Sequence, residues 1–394
     1  MNSTFIQGFE LDDYHSEAPL HSNAILLPAL FAAAEHETIS ASGSTRIITG
    51  KDFLLAVLVG YEVGPRVGLG LYGAHMLSMG WHSGAVFGPS ASAASVSKLL
   101  EFPPNMVEDA LGIACTQACG LMSAQYESMV KRMQHGFASR NGLFAALMAR
   151  SGYVGIKQVF ERPYGGFLST FSQGIGKDPA SRPDELTKDL GDKWHTQTIR
   201  VKPYGSMAGT HCTIDCIRAL QQSHPEEMKD VHGISNVIVE MSEPAFKHGG
   251  WQVKRPLTVT GAQMSNSYVA ALQLADGHVL PAQFHQEAID RDDVWRLISK
   301  TICKQNDNLD NPWAQRVTIE FADQRPTLVQ AVKAPKGIKP PMSNEEVVSK
   351  WRSVTKGIID DERRQQIEDL VLDLDGLKDI TALTRLLAGS TAKL

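Results

Sequence analysis

The stretch GPSASAASVSKLLEF, residues 88–102, decides the fold class. Its small residues predict a helix that neighbouring helices can approach closely. Similar helical patterns run from residue 24 to about residue 150, in ILLPALFAAAEH (25–36), KDFLLAVLVGYEVG (51–64) and ASRNGLFAALMARSGY (138–153). Another helix, NMVEDALGIACTQACGLM (105–122), is expected to begin with Asn105 as its cap and Glu108 three residues later. The sequence therefore predicts a large helical N-terminal region.

The pattern changes beyond residue 195. Strands are predicted at TIRVK (198–202), VIVEM (237–241), RVTIEF (316–321) and TLVQAVK (327–333). Helices are predicted between them at HCTIDCIRALQQS (211–223) and GAQMSNSYVAALQLADG (261–277), the second ending at Gly277. Helical patterns return from Asn344 onward. We therefore predict a mainly α protein, a large all-helical domain (1–195 and 339–394) interrupted by a smaller α+β lid domain (196–338).

The composition excludes several classes of protein. Hydrophobic residues make up 43% and charged residues 21% of the 394 residues, which is typical of a chain with a substantial core. A net charge of −5 gives no overall attraction to nucleic acid or to an anionic membrane. The apolar stretch at 53–64 is expected to be too short to span a bilayer. The start of the chain lacks the features of a signal peptide, and the five cysteines suit a reducing compartment, so we expect a cytoplasmic location.

The segment ELDDYHSEAPLHS, residues 10–22, concentrates acids and imidazoles near the start of the chain. A metal site, a proton-transfer site and a solvated loop are all compatible with it. Its carboxylates and histidines match none of the common metal-ligand spacings, and Pro19 prevents one continuous helix from presenting them together. We therefore expect no bound metal.

Further cationic and imidazole side chains are scattered along the sequence. His82 precedes small residues that open a helix, where free backbone amides favour a carboxylate. Lys131 lies ahead of a predicted helix, and Lys202 and His211 lie where a predicted strand meets a loop. Alone, His82 is typical of a core or capping histidine, and the lysines are typical of a protein surface. Together with His21 they would form a cationic pocket in an acidic protein, which indicates an anionic, polycarboxylate substrate.

Long stretches of the chain resemble the fungal cis-aconitate decarboxylases of the MmgE/PrpD family. The resemblance rests on FIQGFELDDYHSEAPLHSNAILLPAL (5–30), GWHSGAVFGPSASAASVSKLL (80–100) and EDALGIACTQACGLMSAQYESMVKRMQHGFASRNGL (108–143). It implies a helical domain with a smaller α+β lid, a homodimer, a site between the two domains and no cofactor.

The resemblance also implies a set of site residues. The catalytic residues would be His21, His82, Lys131, Lys202 and Tyr268. The substrate-binding residues would be Asp12, Asp13, Tyr14, His211 and Met207. Glu10 stands where animal relatives have aspartate, and Met207 stands where they have histidine. In this assignment Lys131, Lys202 and His211 hold carboxylates, His21 or His82 delivers a proton, and Tyr268 positions the substrate.

The implied reaction is the decarboxylation of cis-aconitate, or of an alkylated analogue, to itaconate. Dehydration of 2-methylcitrate or of a longer alkylcitrate is the alternative, because the same family contains 2-methylcitrate dehydratase. Family members carry several helices before the point where this chain starts. An inactive truncated homologue and a mitochondrial location therefore also stay open.

Overall fold

The structure is a computed structural model that describes residues 1–39 and 46–388. The protein is mainly α-helical with small mixed sheets. The helices of the N-terminal part are α1 (Asn2–Gly8), α2 (Ser22–Ile39), α3 (Gly50–Gly70), α4 (His75–Ser78), α5 (Ser83–Leu99), α6 (Pro104–Cys115), α7 (Val130–Arg150) and α8 (Phe167–Phe171).

Helix α5 lies at the centre of the first hydrophobic core, with nearly every residue buried. Its small side chains let α7 come close, as the sequence predicted. A Cβ atom at Gly142 of α7 would lie 2.3 Å from the Cβ of Ser92 and 2.6 Å from the amide nitrogen of Ala93. The two backbones therefore leave no space for a side chain at this crossing.

Two expected helix starts are wrong. Helix α6 begins at Pro104 without a side-chain cap, so Asn105 is not its cap. Proline suits this place because the amide hydrogen that it lacks would be unpaired in the first turn anyway. Helix α7 begins at Val130 rather than near Ala138, and its first turns therefore contain the polar residues at 131–135.

Helix α3 begins with a capping box in which Thr49 and Asp52 exchange hydrogen bonds. At 21 residues it is long and apolar enough to cross a membrane by length and composition alone, so the expectation that this stretch is too short is wrong. In the structure most of α3 is buried, and it holds a buried ion pair between Glu62 and Arg66 at 3.6 Å.

The strands form two sheets. They are β1 (Asp13–His15), β2 (Ile199–Val201), β3 (Ile234–Met241), β4 (Thr301–Gln305), β5 (Gln315–Phe321) and β6 (Leu328–Val332). β1 and β2 pair with each other in antiparallel fashion. The other four strands have the order β4-β3-β5-β6, in which only the β3–β4 pair is parallel. All four predicted strands are present. The sequence did not predict β1 and β4, because each is a short segment with several polar residues.

The helices around the larger sheet are α9 (His211–Ser223), α10 (Pro225–Met228), α11 (Glu243–Gly249), α12 (Val259–Gln263), α13 (Asn266–Asp276), α14 (Gln286–Ile289) and α15 (Asp292–Ser299). The helix predicted at 261–277 is interrupted, because Ser265 caps the start of α13 by accepting a hydrogen bond from the amide of Tyr268. Gly277 ends α13 at φ +73°, as predicted, because glycine adopts this left-handed conformation without a steric cost.

The C-terminal helices are α16 (Asn344–Thr355), α17 (Asp361–Leu372) and α18 (Thr381–Ala388). Ile367 and Leu383 from this segment pack into the first core, whereas residues between 204 and 332 form the second core. The β1–β2 ladder joins a loop of the first part to the chain that enters the second. The domain boundaries at 195 and 338 stay predictions.

Candidate active site

The buried carboxylate of Glu10 organises the candidate site. Glu10 lies just after α1, is 2% exposed and has a left-handed backbone with φ +51°. Lys131 Nζ and Gln7 Nε2 each donate a hydrogen bond of 2.9 Å to Glu10 Oε1. Arg132 and Lys202 also form ion pairs with this carboxylate. Burial alone would raise the pKa of Glu10, but the three neighbouring cations hold this pKa well below its usual value.

Two elements deliver the cations to Glu10. Lys131 and Arg132 lie in the first turn of α7, and Lys202 follows β2 directly. The buried face of α7 is polar here, so these side chains point into the protein rather than into solvent. Burial lowers the pKa of Lys131 to about 8, although Glu10 partly offsets this effect. Lys131 therefore keeps its positive charge at neutral pH.

Asp12 and His21 form a pair beside this cluster. His21 Nδ1 donates to Asp12 Oδ2 at 2.8 Å, while Asp12 Oδ1 lies 3.6 Å from Lys202 Nζ. Burial would raise the pKa of Asp12, but His21 and Lys202 lower it, so Asp12 stays a carboxylate. The His21 side chain is 19% exposed, compared with 1% for Asp12. Asp12 thus fixes the orientation of His21 and leaves Nε2 as the nitrogen that can exchange a proton with a ligand.

Three imidazole rings stand next to one another. The ring of His135 lies 5.0 Å from that of His21 and 4.7 Å from that of His82, measured between centroids. His82 caps α5, and its Nδ1 accepts a hydrogen bond of 3.3 Å from the amide of Ala85. Burial and Lys131 lower the pKa of His82 well below its usual value, so the ring is neutral and carries its proton on Nε2.

His211 is fully buried near Lys202 but cannot act as a cation. Its Nε2 donates to the main-chain oxygen of Ser206 at 3.0 Å. Burial and the charge of Lys202 lower the pKa of His211 to about 3. The ring is therefore neutral at physiological pH, and the role of His211 in holding a carboxylate stays a prediction.

Tyr14 and Met207 lie at the edge of the cluster and form no ion pair or side-chain hydrogen bond with Glu10 in the described residues. The Tyr14 ring faces Lys202, with Nζ 5.9 Å from the ring centroid. Met207 is half-buried, and its amide donates to the main-chain oxygen of Gln263 at 2.9 Å. The Gln263 side chain in turn accepts a hydrogen bond from Arg132. Met207 is thus connected to the cluster through Gln263.

The structure does not bring Tyr268 into this cluster. Tyr268 is fully buried in the second core, and its hydroxyl donates to the main-chain oxygen of Gln283 at 2.7 Å. Its ring packs against that of Phe284, with 5.7 Å between centroids. Its hydroxyl is thus used inside the second core, and a role of Tyr268 in positioning the substrate stays a prediction.

Asp13 faces away from Asp12. It accepts hydrogen bonds from the amide of Asn23 at 3.0 Å and from the hydroxyl of Tyr61 at 3.1 Å. Burial and the adjacent Asp12 raise the pKa of Asp13 to about 6. Alternating directions are the rule along a strand, so the two acids cannot both face the cationic cluster. Asp13 supports the start of α2, and its role in binding substrate stays a prediction.

Lys350 of α16 is a site residue that the sequence did not indicate. Its Nζ donates to the main-chain oxygens of Leu11 and Lys202, at 2.7 and 3.0 Å. Burial lowers the pKa of Lys350 to about 8. This lysine connects the loop of Asp12 to the strand end that carries Lys202. No local pattern predicts such a contact, because the residues it joins are far apart in the chain.

The cluster combines buried cations with carboxylates and an imidazole. In the described ranges, 1–39 and 46–388, no three histidine, cysteine or carboxylate side chains are grouped as metal ligands. Lys131, Arg132 and Lys202 face the carboxylates of Glu10 and Asp12, so positive charge is in excess. The site can therefore hold carboxylates next to a histidine that is able to transfer a proton.

The chain is similar over nearly its whole length to proteins named cis-aconitate decarboxylase. A cis-aconitate decarboxylase-like protein of Aspergillus oryzae, oryM, is 50% identical over 396 residues, which cover 99% of this chain and 81% of that protein. A cis-aconitate decarboxylase of Aspergillus terreus is 46% identical over 98% of this chain and 80% of its own length. The human cis-aconitate decarboxylase is 26% identical over 99% of this chain and 78% of its own length. Relatives with this name are carboxy-lyases.

Two family models match this chain. The model of the MmgE/PrpD N-terminal domain matches residues 1–179, and that of the MmgE/PrpD C-terminal domain matches residues 204–375. Together the two matches span most of the chain. The protein belongs to the MmgE/PrpD family.

Proposed function

We propose that this protein decarboxylates cis-aconitate to itaconate without a cofactor. The observation that carries the proposal is the buried group of Lys131, Arg132 and Lys202 beside the Asp12–His21 pair. Fungal relatives at 46–50% identity carry the name of this activity. Cations can hold the carboxylates of the substrate, and His21 can supply the proton that the product needs.

The reaction places two demands on the site. The bond between the CH2 carbon and its carboxylate breaks, CO2 leaves, and the electron pair moves through the double bond toward the far carboxylate. A proton then adds to the former vinyl carbon, so that cis-aconitate and one proton give itaconate and CO2. The site must therefore stabilise a dienolate-like anion and deliver one proton to carbon.

The residues are assigned to these demands as follows. Lys131 and Lys202 share their charge between Glu10 and the substrate carboxylates. His21, oriented by Asp12, delivers the proton from Nε2. His82 is neutral and donates a hydrogen bond from its Nε2, since its Nδ1 already accepts from the α5 amide of Ala85. Neutral imidazole at a helix start is an effective electrophile toward a developing negative charge.

The second core is proposed to act as a lid over the first. Lys202 and Gln263 reach from that side of the molecule to Glu10 and Arg132. Opening this contact would separate Glu10 from Lys202 and let a polyanion enter.

A substrate panel tests the reaction. Purified protein incubated with cis-aconitate should give itaconate and CO2, whereas 2-methylcitrate should stay unchanged, and both can be followed by NMR. Dehydration of 2-methylcitrate without loss of CO2 from cis-aconitate would show that the dehydratase alternative is correct and would refute the decarboxylase.

Asp12→Asn tests the role of the carboxylate that orients His21. We expect kcat to fall by about 10²-fold or more, the usual contribution of a positioned acid or base, with a small change in KM. Asp13→Asn is the matched control, because Asp13 faces Asn23 and Tyr61. Equal kcat values for the two variants, measured by itaconate formation, would remove Asp12 from the mechanism.

The pKa of Lys131 predicts a pH dependence. Below about pH 8 the Lys131 ammonium is charged, and above it the site loses a cation. The kcat/KM of the free enzyme should therefore fall as pH rises through about 8. Lys131→Arg should move this fall to higher pH, because arginine stays protonated.

Lys350 provides the control for this measurement, because its pKa is also about 8. Lys350→Arg should keep the decline near pH 8 if Lys131 causes it. A decline that moves in Lys350→Arg but persists in Lys131→Arg would contradict the assignment.

We also propose that the protein is a homodimer through the outer face of α7. The buried positions of this helix include the polar residues Gln134 and Ser139, whereas Met133 and Phe144 are exposed. Phe5 of the neighbouring α1 is exposed as well. Large apolar side chains grouped on an outer face are typical of a surface that another protein covers.

Phe144→Asp tests this dimer. A charge in the apolar contact should convert dimers to monomers, measured by size-exclusion chromatography with light scattering. Tyr164→Asp is the matched control, since Tyr164 is almost fully exposed elsewhere. A wild-type protein that is monomeric at micromolar concentration would refute the proposed dimer.

A further inference from the structure

His135 is a buried residue to which neither the resemblance nor the assigned roles give a function. It lies one helical turn after Lys131 on α7 and is fully buried. Neither of its ring nitrogens has a hydrogen-bond partner within the part of the chain that the structure describes. Buried polar groups are nearly always hydrogen-bonded, so an imidazole without partners calls for an explanation.

The His135 ring occupies a space that the absence of a side chain at Gly84 leaves open. A Cβ atom at Gly84, in the first turn of α5, would lie 2.6 Å from His135 Cδ2 and 2.7 Å from its Nε2. Glycine at position 84 therefore provides the space that the ring occupies. On either side stand the rings of His21 and His82, at 5.0 and 4.7 Å between centroids.

The charge state of His135 limits what it can do. Burial first, and then the nearby His82, His21 and Lys131, keep its pKa well below the usual value, although Glu10 opposes them. A neutral imidazole has one N–H donor and one acceptor nitrogen. A carboxylate oxygen could accept from the donor, and it would lie among the cations of the site. A phenylalanine would fill a similar space without any unpaired polar atom, so packing alone does not explain the imidazole.

We propose that His135 is a substrate-contacting residue, whose ring N–H donates a hydrogen bond to a carboxylate of the bound polycarboxylate and holds it between His21 and His82. This inference rests on the proposed function, because it assumes a polycarboxylate in this site. The contact directs the substrate toward the proton on His21. His135 itself transfers no proton.

His135→Phe separates this role from packing. We expect the variant to be at least as stable as the wild type in urea unfolding, because no unpaired nitrogen is buried. Its kcat/KM for cis-aconitate should fall about 10- to 100-fold, the range expected for one hydrogen bond to a charged group. His135→Gln should recover part of this loss, because its amide can donate.

The matched control is His195→Gln. His195 is also buried, but it packs against His15 away from the cluster, with 5.4 Å between ring centroids. The His195→Gln variant should keep the wild-type kcat/KM for cis-aconitate. Gly84→Ala tests the same contact in a second way, because the added methyl group would displace the His135 ring. The kcat/KM of this variant should also be lower than that of the wild type.

Binding of propane-1,2,3-tricarboxylate, measured by calorimetry, separates the two proposals. If the wild type binds this unreactive tricarboxylate but does not decarboxylate cis-aconitate, the proposed function fails, and weaker binding by His135→Phe still supports the contact. If the wild type is active and His135→Phe binds and turns over normally, the contact is refuted and His135 is a packing residue. A wild type that neither binds nor reacts refutes both.

Discussion

Burial of the Glu10 carboxylate among three cations is the constraint on which the rest of the site depends. A buried charge is costly unless it is paired, and Lys131, Arg132 and Lys202 supply that pairing from α7 and from the end of β2. The loop after α1, the start of α7 and the entry to the second core are thereby held at one point. The same cations are the ones that an anionic substrate would need.

Burial acts in opposite ways on the two kinds of group in the site. It favours neutral imidazoles, so the pKa values of His82, His135 and His211 are lowered. The carboxylates of Glu10 and Asp12 nevertheless stay ionised, because cations contact them. The proposed chemistry uses this division: charged groups hold carboxylates, and neutral rings donate hydrogen bonds.

Much of the fold was predictable because it follows from local patterns. Small-residue helices, the strands at 237–241 and 316–321, and the end of α13 at Gly277 are all set by near neighbours. The errors occur where local signals compete or are weak. Asn105 looks like a cap, but the preceding prolines begin the helix, and the polar start of α7 resembles a loop until its partner Glu10 is known.

By itself the sequence determined the order of elements, the family likeness and the types of side chain at the site, because these depend on residues close together in the chain. Only the tertiary structure decided which of those side chains meet. It paired Asp12 but not Asp13 with His21, placed Tyr268 in the second core and brought Lys350 to the backbone of Leu11. Such contacts join residues up to hundreds of positions apart, and their energies depend on a burial that no local pattern encodes.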